Sequence, residues 1–226
     1  MKIEVILLSG GVGSRMESLI PKQYLLLNGK PIARLSFEAF EACSEVDSII
    51  VVANEGYRDL FHSKSKKVSF ASPGDRRQDS LKQGMAKLSP DTDLVLIHDA
   101  ARPFLTQKMI SRAIEGGKKA GAATLALPMR CTVKEGDSEK RVVKTLERSN
   151  LYEIQTPQAL KKSVLEQGMQ QAEARGVTVT DDVCLAEILP HVVELVEGSP
   201  YNIKITTPED LVMAQAIFDE VFREKL

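Results

Sequence analysis

The sequence predicts an α/β protein, with a Rossmann-like, mostly parallel sheet, helices on both faces and an inserted β-hairpin arm. Three observations predict it. Short β-rich runs alternate with helical patterns, the order that builds a parallel sheet covered on both sides. The first apolar run opens directly into a glycine cluster, where backbone N–H groups can face an anion because no Cβ blocks them. One segment, residues 130–148, breaks the alternation with two short strand-like runs around a polar turn.

The first strand is Ile3–Leu8, apolar apart from Glu4, as burial on both faces of a parallel sheet requires. Ile32–Cys43 reads as a helix, with apolar residues recurring every three or four positions. Ser48–Ala53 and Lys67–Ala71 are strands, and the second ends in the turn residues Ser72-Pro73-Gly74. Asp79–Leu88 is helical, Leu94–Ile97 a strand, Thr106–Ala120 a helix and Ala122–Leu127 a strand. In the arm, Cys131–Lys134 and Arg141–Lys144 read as strands around Glu135–Lys140. Its apolar residues are too few for a core of their own, and a lone hairpin is marginal in water, so packing on a second subunit is expected. A solvated loop on a monomer is the alternative. Helical patterns return at Lys161–Ala174 and Asp181–Leu189, and Pro208 opens a last helix running to Phe222. With no repeat, linker or low-complexity stretch, residues 1–226 read as one domain.

Composition narrows the function. The 226 residues are 43% hydrophobic and 27% charged, ordinary globular values. A formal net charge of −1 gives no basic surplus for nucleic acid, so any nucleotide partner is expected to be small. Cys43, Cys131 and Cys184 are odd in number and lack C-x-x-C spacing, which argues against a disulfide framework or zinc site and for a reducing cytoplasm. Glu4 interrupts any signal-peptide core, and no apolar run reaches the roughly 18 residues of a membrane span.

The chemistry-bearing residues cluster just after the strands, where open α/β sheets bind ligands. Ser9-Gly10-Gly11-Val12-Gly13-Ser14-Arg15-Met16, followed by Pro21-Lys22-Gln23, joins an amide-lined loop to two cations, Arg15 and Lys22, suited to a triphosphate. It is not a dinucleotide fingerprint, because the third glycine position holds Met16. Nor is it a Walker A loop, since Lys30 is preceded by Tyr24 six residues earlier and followed by Pro31. The residues four after Tyr24, Tyr57, Tyr152 and Tyr201 are not lysine, which removes the Tyr-x-x-x-Lys pair of short-chain dehydrogenases. Asp99, after the fourth strand, suits Mg²⁺, which takes one or two protein carboxylates and completes its shell with water and phosphates. A helix cap or a salt bridge with Arg102 is the other reading of Asp99. His98 reads as structural. In Gly74-Asp75-Arg76-Arg77-Gln78-Asp79-Ser80, polar groups are placed to bond a sugar or base edge, unless Asp79 or Ser80 only caps the following helix. Lys204 sits in what reads as an apolar strand, either meeting an anion or pointing to solvent between Ile203 and Ile205.

These segments, with Gln155-Thr156-Pro157-Gln158 and Asn202–Thr206, resemble in order and spacing the 2-C-methyl-D-erythritol 4-phosphate cytidylyltransferase family over nearly the whole chain. The resemblance implies transfer of CMP from CTP to methylerythritol phosphate, with Mg²⁺ as cofactor, in a cytoplasmic homodimer of nucleotidyltransferase domains joined through the 130–148 arm. It implies that Arg15 and Lys22 are transition-state cations, that Arg148 and Lys204 position the acceptor phosphate and that Asp99 binds the metal. Asp75, Ser80 and the backbone of Gly10 and Gly11 match positions around the cytidine, and Ser9 and Gly74 in the same motifs are assigned to substrate binding with them. Arg102, Thr132 and Thr156 match positions near the acceptor. Many members have Ala-Ala-Gly where this chain has Ser9-Gly10-Gly11, and an aspartate where it has Glu147. The Gly-Gly form also resembles ribitol-5-phosphate cytidylyltransferases, whereas Thr145–Arg148 favours methylerythritol phosphate. A noncatalytic nucleotide-binding protein is the alternative of a different class. Because the second phosphate pKa is ~6, the acceptor is already largely dianionic near neutrality and needs no general base.

Overall fold

A computed structural model of the chain describes residues 1–11 and 20–222; Arg15 and the rest of 12–19 lie outside the described residues, as do 223–226. The centre is a seven-stranded sheet. Strand β1 (Ile3–Leu8) continues, after the short hairpin of β2 (Leu26–Leu27) and β3 (Lys30–Pro31), into helix α1 (Ile32–Glu41) and then β4 (Ser48–Val52) and β5 (Lys67–Ala71). Helix α2 (Arg77–Met85) leads to β6 (Leu94–Asp99), and α3 (Gln107–Ala120) to β7 (Ala122–Pro128). The arm strands β8 (Lys134–Gly136) and β9 (Val142–Thr145) precede β10 (Tyr152–Lys161), α4 (Lys162–Ala174), the single turn α5 (Cys184–Glu187), β11 (Glu194–Glu197) and α6 (Pro208–Ile217).

The sheet order is β11-β7-β10-β6-β1-β4-β5. Strands β5, β4, β1 and β6 are mutually parallel, β10 runs antiparallel between β6 and β7, and β11 is parallel to β7. Alternation along β1 decides the two faces. Val5 and Leu7 join a core with Phe37 and Phe40 of α1 and Ile110 and Ile114 of α3. Ile6, one residue out of phase, joins Leu81 of α2, Leu165 and Met169 of α4 and Leu185 of α5. Both faces are therefore covered by helices, as the unbroken apolar strands predict. A third cluster packs Ile32 and Leu35 against Phe104, Ile205, Phe218 and Phe222.

Several boundaries differ from expectation. The strand predicted to end at Ile97 continues, pairing His98 with Leu7 and Asp99 with Leu8, so Asp99 is the last residue of a central strand. Strand β10 is not among the expected strands; its Gln155, Thr156 and Gln158 are buried, with hydrogen bonds to Ser199, to Asp99 and His98, and to Thr124. The helix expected over Asp181–Leu189 shrinks to α5, because Gln158 Oε1 accepts from the N–H groups of Asp182 and Val183 and holds them in a turn. Lys204 is not in a strand: Asn202–Thr206 has no regular secondary structure, and Ile205 N–H donates to Ala101 O. In the arm the strands run over Lys134–Gly136 and Val142–Thr145 rather than Cys131–Lys134 and Arg141–Lys144, and between them Asp137 accepts from Glu139 N, Arg141 N and Arg141 Nε and closes a compact turn. The last helix ends at Ile217 and gives way to a π turn over Phe218–Phe222. No helix among the described residues is long and apolar enough to cross a membrane.

Candidate active site

Strands β1, β5 and β6 end at one edge of the sheet, and their following loops line a cavity of about 560 Å³. The loop after β1 is clamped from behind. Gln23, itself buried, donates through Nε2 to Ser9 O at 2.8 Å and Gly11 O at 2.9 Å. Tyr24 donates to Ser9 O at 2.7 Å and stacks on Tyr57 with ring centroids 3.7 Å apart. The Ser9 hydroxyl is turned inward and donates to Tyr24 Oη at 3.1 Å, so Ser9 faces the clamp. Gly10 and Gly11 line the cavity, as does Lys22. Gly10 is required by close approach: a Cβ there would lie 2.2 Å from Pro73 Cβ, in the turn after β5.

That turn forms the second wall. Gly74, Asp75 and Ser80 line the cavity. Ser80 Oγ accepts from Gly74 N at 3.0 Å and so fixes the turn, while Asp79 accepts from the Arg76 N–H at 3.1 Å at the start of α2. Helix capping thus falls to Asp79, not Ser80.

Asp99 closes the floor. It is not a helix cap; Thr106 caps α3. Its Oδ2 lies 2.7 Å from Lys204 Nζ and its Oδ1 3.1 Å from Arg77 Nε. Burial alone would raise its pKa, but the charges of Arg77, Lys204 and Arg102 outweigh burial and hold the carboxyl far below the usual range. Arg77 also grips Asp182, Nη1 to Oδ1 at 2.6 Å and Nη2 to Oδ2 at 2.7 Å. Burial opposes the charge on Arg77, yet Asp182 and Asp99 outweigh it and raise its pKa, whereas burial raises that of Asp182. Lys204 therefore meets an anion, and the solvent-facing alternative does not hold.

The remaining candidates lie outside this cavity's lining. Thr156 Oγ1 accepts from Asp99 N at 3.1 Å and bonds His98 Nδ1 at 2.9 Å, which ties β10 to the end of β6. His98 is fully buried, and burial pushes its pKa down to about 4. Arg102 Nη1 donates to Asn202 O at 2.7 Å, and its Nε is buried with no hydrogen-bond partner among the described residues. Thr132 and Arg148 are exposed on the arm, where Arg148 Nη1 donates to Arg130 O at 2.9 Å. Sequence reasoning missed Gln23, Arg77 and Asp182. Arg77 stands beside Arg76 in a motif already singled out, and nothing in the sequence says which of the two turns inward.

Comparison with known proteins places this geometry. The profile of the 2-C-methyl-D-erythritol 4-phosphate cytidylyltransferase (IspD) family matches residues 3–220. The chain belongs to this family. It is a cytidylyltransferase with an α/β nucleotidyltransferase fold. It is similar to the chloroplastic 2-C-methyl-D-erythritol 4-phosphate cytidylyltransferase of Oryza sativa subsp. japonica, 43% identical over 222 residues covering 96% of this chain and 75% of the relative. A relative of the same name from Chlamydia pneumoniae is 41% identical over 217 residues, covering 96% of this chain and 99% of that protein. Among solved structures, 4-diphosphocytidyl-2C-methyl-D-erythritol synthase from Anaerococcus prevotii DSM 20548 superposes with a TM-score of 0.85 at 29% identity, covering 96% of this chain and 98% of that one.

For a cytidylyltransferase the donor set at the cavity floor fits a magnesium ion better than a transition metal. Asp99 is a hard carboxylate facing a cavity, and the described residues hold no group of three or more His, Cys, Asp or Glu that would make an all-protein cage. A metal arriving on nucleotide phosphates has to share Asp99 with Lys204, which already occupies Oδ2.

Proposed function

We propose that the cavity joins CTP and 2-C-methyl-D-erythritol 4-phosphate, giving 4-diphosphocytidyl-2-C-methyl-D-erythritol and pyrophosphate in the non-mevalonate route to isoprenoids. The observation that carries this reading is the convergence of Lys22, Lys204 and Asp99 on one cavity with the Gly10-Gly11 loop and the Gly74–Ser80 turn. A phosphate oxygen of the acceptor attacks the α-phosphorus of CTP, a new P–O bond forms, and the bond to the β-phosphate bridge breaks with its electron pair leaving on pyrophosphate. The acceptor is already an anion, so no side chain has to remove a proton. The barrier is repulsion between two anions, and fixed positive charge is the remedy. Lys22, with Arg15, neutralises charge gathering on the triphosphate. Lys204 and Arg148 hold the acceptor phosphate in line, and Arg102, Thr132 and Thr156 shape the acceptor side. Gly10, Gly11, Gly74, Asp75 and Ser80 hold the nucleotide, while Ser9, turned inward to Tyr24, holds the loop that carries the glycines. Mg²⁺ at Asp99 would supply further compensating charge on the phosphates.

A homodimer through the 130–148 arm belongs to the same reading. Val142 and Val143 are 66% and 57% exposed on the two faces of β9, with no cover among the described residues. Arg148 stands on the arm, away from its own cavity, which suits completion of each acceptor site by the partner's Arg148. A reducing cytoplasm is the compartment we propose, on the unpaired Cys43, Cys131 and Cys184.

Pyrophosphate release measured over a panel of nucleotides and polyol phosphates tests the reading. CTP with methylerythritol 4-phosphate and Mg²⁺ is expected to give the highest kcat/KM. A higher value with ribitol 5-phosphate overturns the acceptor, and release without any acceptor overturns the group transfer.

A further inference from the structure

Asp182 is buried completely, and it spends both carboxylate oxygens on one guanidinium, that of Arg77. We propose that Asp182 is a positioning residue for the reaction: it aims Arg77 so that this cation grips Oδ1 of Asp99 alone, with Oδ2 left to Lys204, and so fixes the carboxylate that a metal-bound nucleotide would meet at the cavity floor. The inference rests on the reading of Asp99 as the residue that receives Mg²⁺.

A buried ion pair is often matched or bettered in stability by an apolar pair of similar volume, so holding α2 against the turn before α5 does not by itself call for one. What an apolar pair cannot do is orient a planar fork. Guanidinium and carboxylate meet edge to edge, and the two short contacts fix the plane of Arg77. Nε then points at Asp99 Oδ1 from 3.1 Å, with Nη2 3.1 Å from the same oxygen, while Oδ2 is met by Lys204. Released from Asp182, the same guanidinium is free to spread its grip across both oxygens of Asp99 and compete with Lys204 for Oδ2.

Asp182 is itself held to the sheet. Gln158 Oε1 accepts from Asp182 N at 2.7 Å and Val183 N at 3.1 Å, and Gln158 Nε2 donates to Thr124 Oγ1 at 3.0 Å on β7. Asp99 is therefore placed twice over, by its own strand and by a relay from β7 through Gln158, Asp182 and Arg77. Both Gln158 and Thr124 are fully buried, so the relay has no solvent-exposed joint until it reaches Arg77.

The test measures metal–nucleotide binding as well as turnover. Water-proton relaxation enhancement reports the ternary complex of Mn²⁺, CTP and protein, and it is read for wild type, Asp182→Asn and Arg77→Lys. Residues that orient a metal-binding group typically change affinity 10–100-fold. Asp182→Asn is expected to weaken Mn²⁺–CTP binding about ten-fold and to raise the Mg²⁺ needed for half-maximal rate, with the acceptor KM within about two-fold of wild type. Arg77→Lys keeps the charge and loses the fork, so it is expected to show the same defect even where Asp182→Asn folds poorly. Normal Mn²⁺–CTP affinity in folded Asp182→Asn or in Arg77→Lys, with only the active fraction reduced, would mean a purely structural pair and overturns the inference. A wild type that shows no ternary enhancement overturns the metal role of Asp99, and the inference falls with it.

Discussion

Asp99 shows how much one residue's setting decides. The same carboxylate at a strand end serves as a helix cap in many proteins, yet here Thr106 caps α3 and Asp99 is left facing Arg77 and Lys204. The cations around the cavity differ in what they act on, and the differences are measurable. Lys22→Ala is expected to lower kcat by on the order of 10²-fold or more, because its charge acts where charge develops, with a smaller effect on CTP binding. Arg15→Ala should behave alike. Steady-state kinetics with near-normal kcat in either variant would remove it from the transition state. Lys204→Ala and Arg148→Ala are expected to raise the acceptor KM and lower kcat through misplacement of the attacking oxygen, leaving the CTP KM little changed. A defect confined to CTP would move the residue to the other substrate.

At the scale of elements, the two loops that line the cavity are each held by contacts outside themselves. The loop after β1 touches the turn after β5 so closely that Gly10 has no room for a side chain. Gly10→Ala should push the two apart, raising the CTP KM several-fold and costing about 1–3 kcal/mol in urea unfolding, the usual penalty for overpacking. An unchanged CTP KM would show that the two walls need not touch. The arm has its own internal order, with Glu135–Lys144 and Asp137–Arg141 ion pairs closing the hairpin, and exposed Val142 and Val143. Deleting Glu135–Lys140 is expected to weaken both dimer and turnover in sedimentation and rate measurements at matched concentration. A fully active wild-type monomer at assay concentration rules the arm's role out.

Across the whole molecule, the site hangs on a buried polar layer between β6, β10 and the 199–202 segment. His98 Nε2 faces the carbonyl of Arg102 at 3.2 Å and therefore carries the proton, leaving Nδ1 to accept from Thr156. Asn202 Nδ2 donates to Thr156 O at 2.9 Å and Gln155 Nε2 to Ser199 O at 2.9 Å. A neutral His98 is needed, with Asp99, Arg102 and Lys204 its charged neighbours. Its pKa falls to about 4 in the fold against about 6.5 in an unfolded chain, so the unfolded state binds the extra proton between those values. Stability from this group is complete above about pH 6.5 and is lost as pH falls toward 4, by up to about 3 kcal/mol. Urea unfolding across that range should show the slope, and His98→Gln should flatten it. An equal slope in the variant assigns it to other groups.

The sequence by itself determined the parallel core strands, the arm hairpin and half of the residues that line the cavity, because each is a local signal: apolar runs, glycines, a charge after a strand. Strand β10 was hidden because its polar residues find partners only once β6, β7 and the segments at 182 and 199 surround it. Lys204 looked like a strand residue because local alternation cannot reveal that Asn202–Thr206 lies beside Asp99. Arg77 and Asp182 stand 105 residues apart, and no local pattern pairs them. Long-range juxtaposition of charges is settled only when the sheet brings the ends of β5 and β6 and the turn before α5 together, where burial makes every unpaired charge costly and so selects the pairing observed.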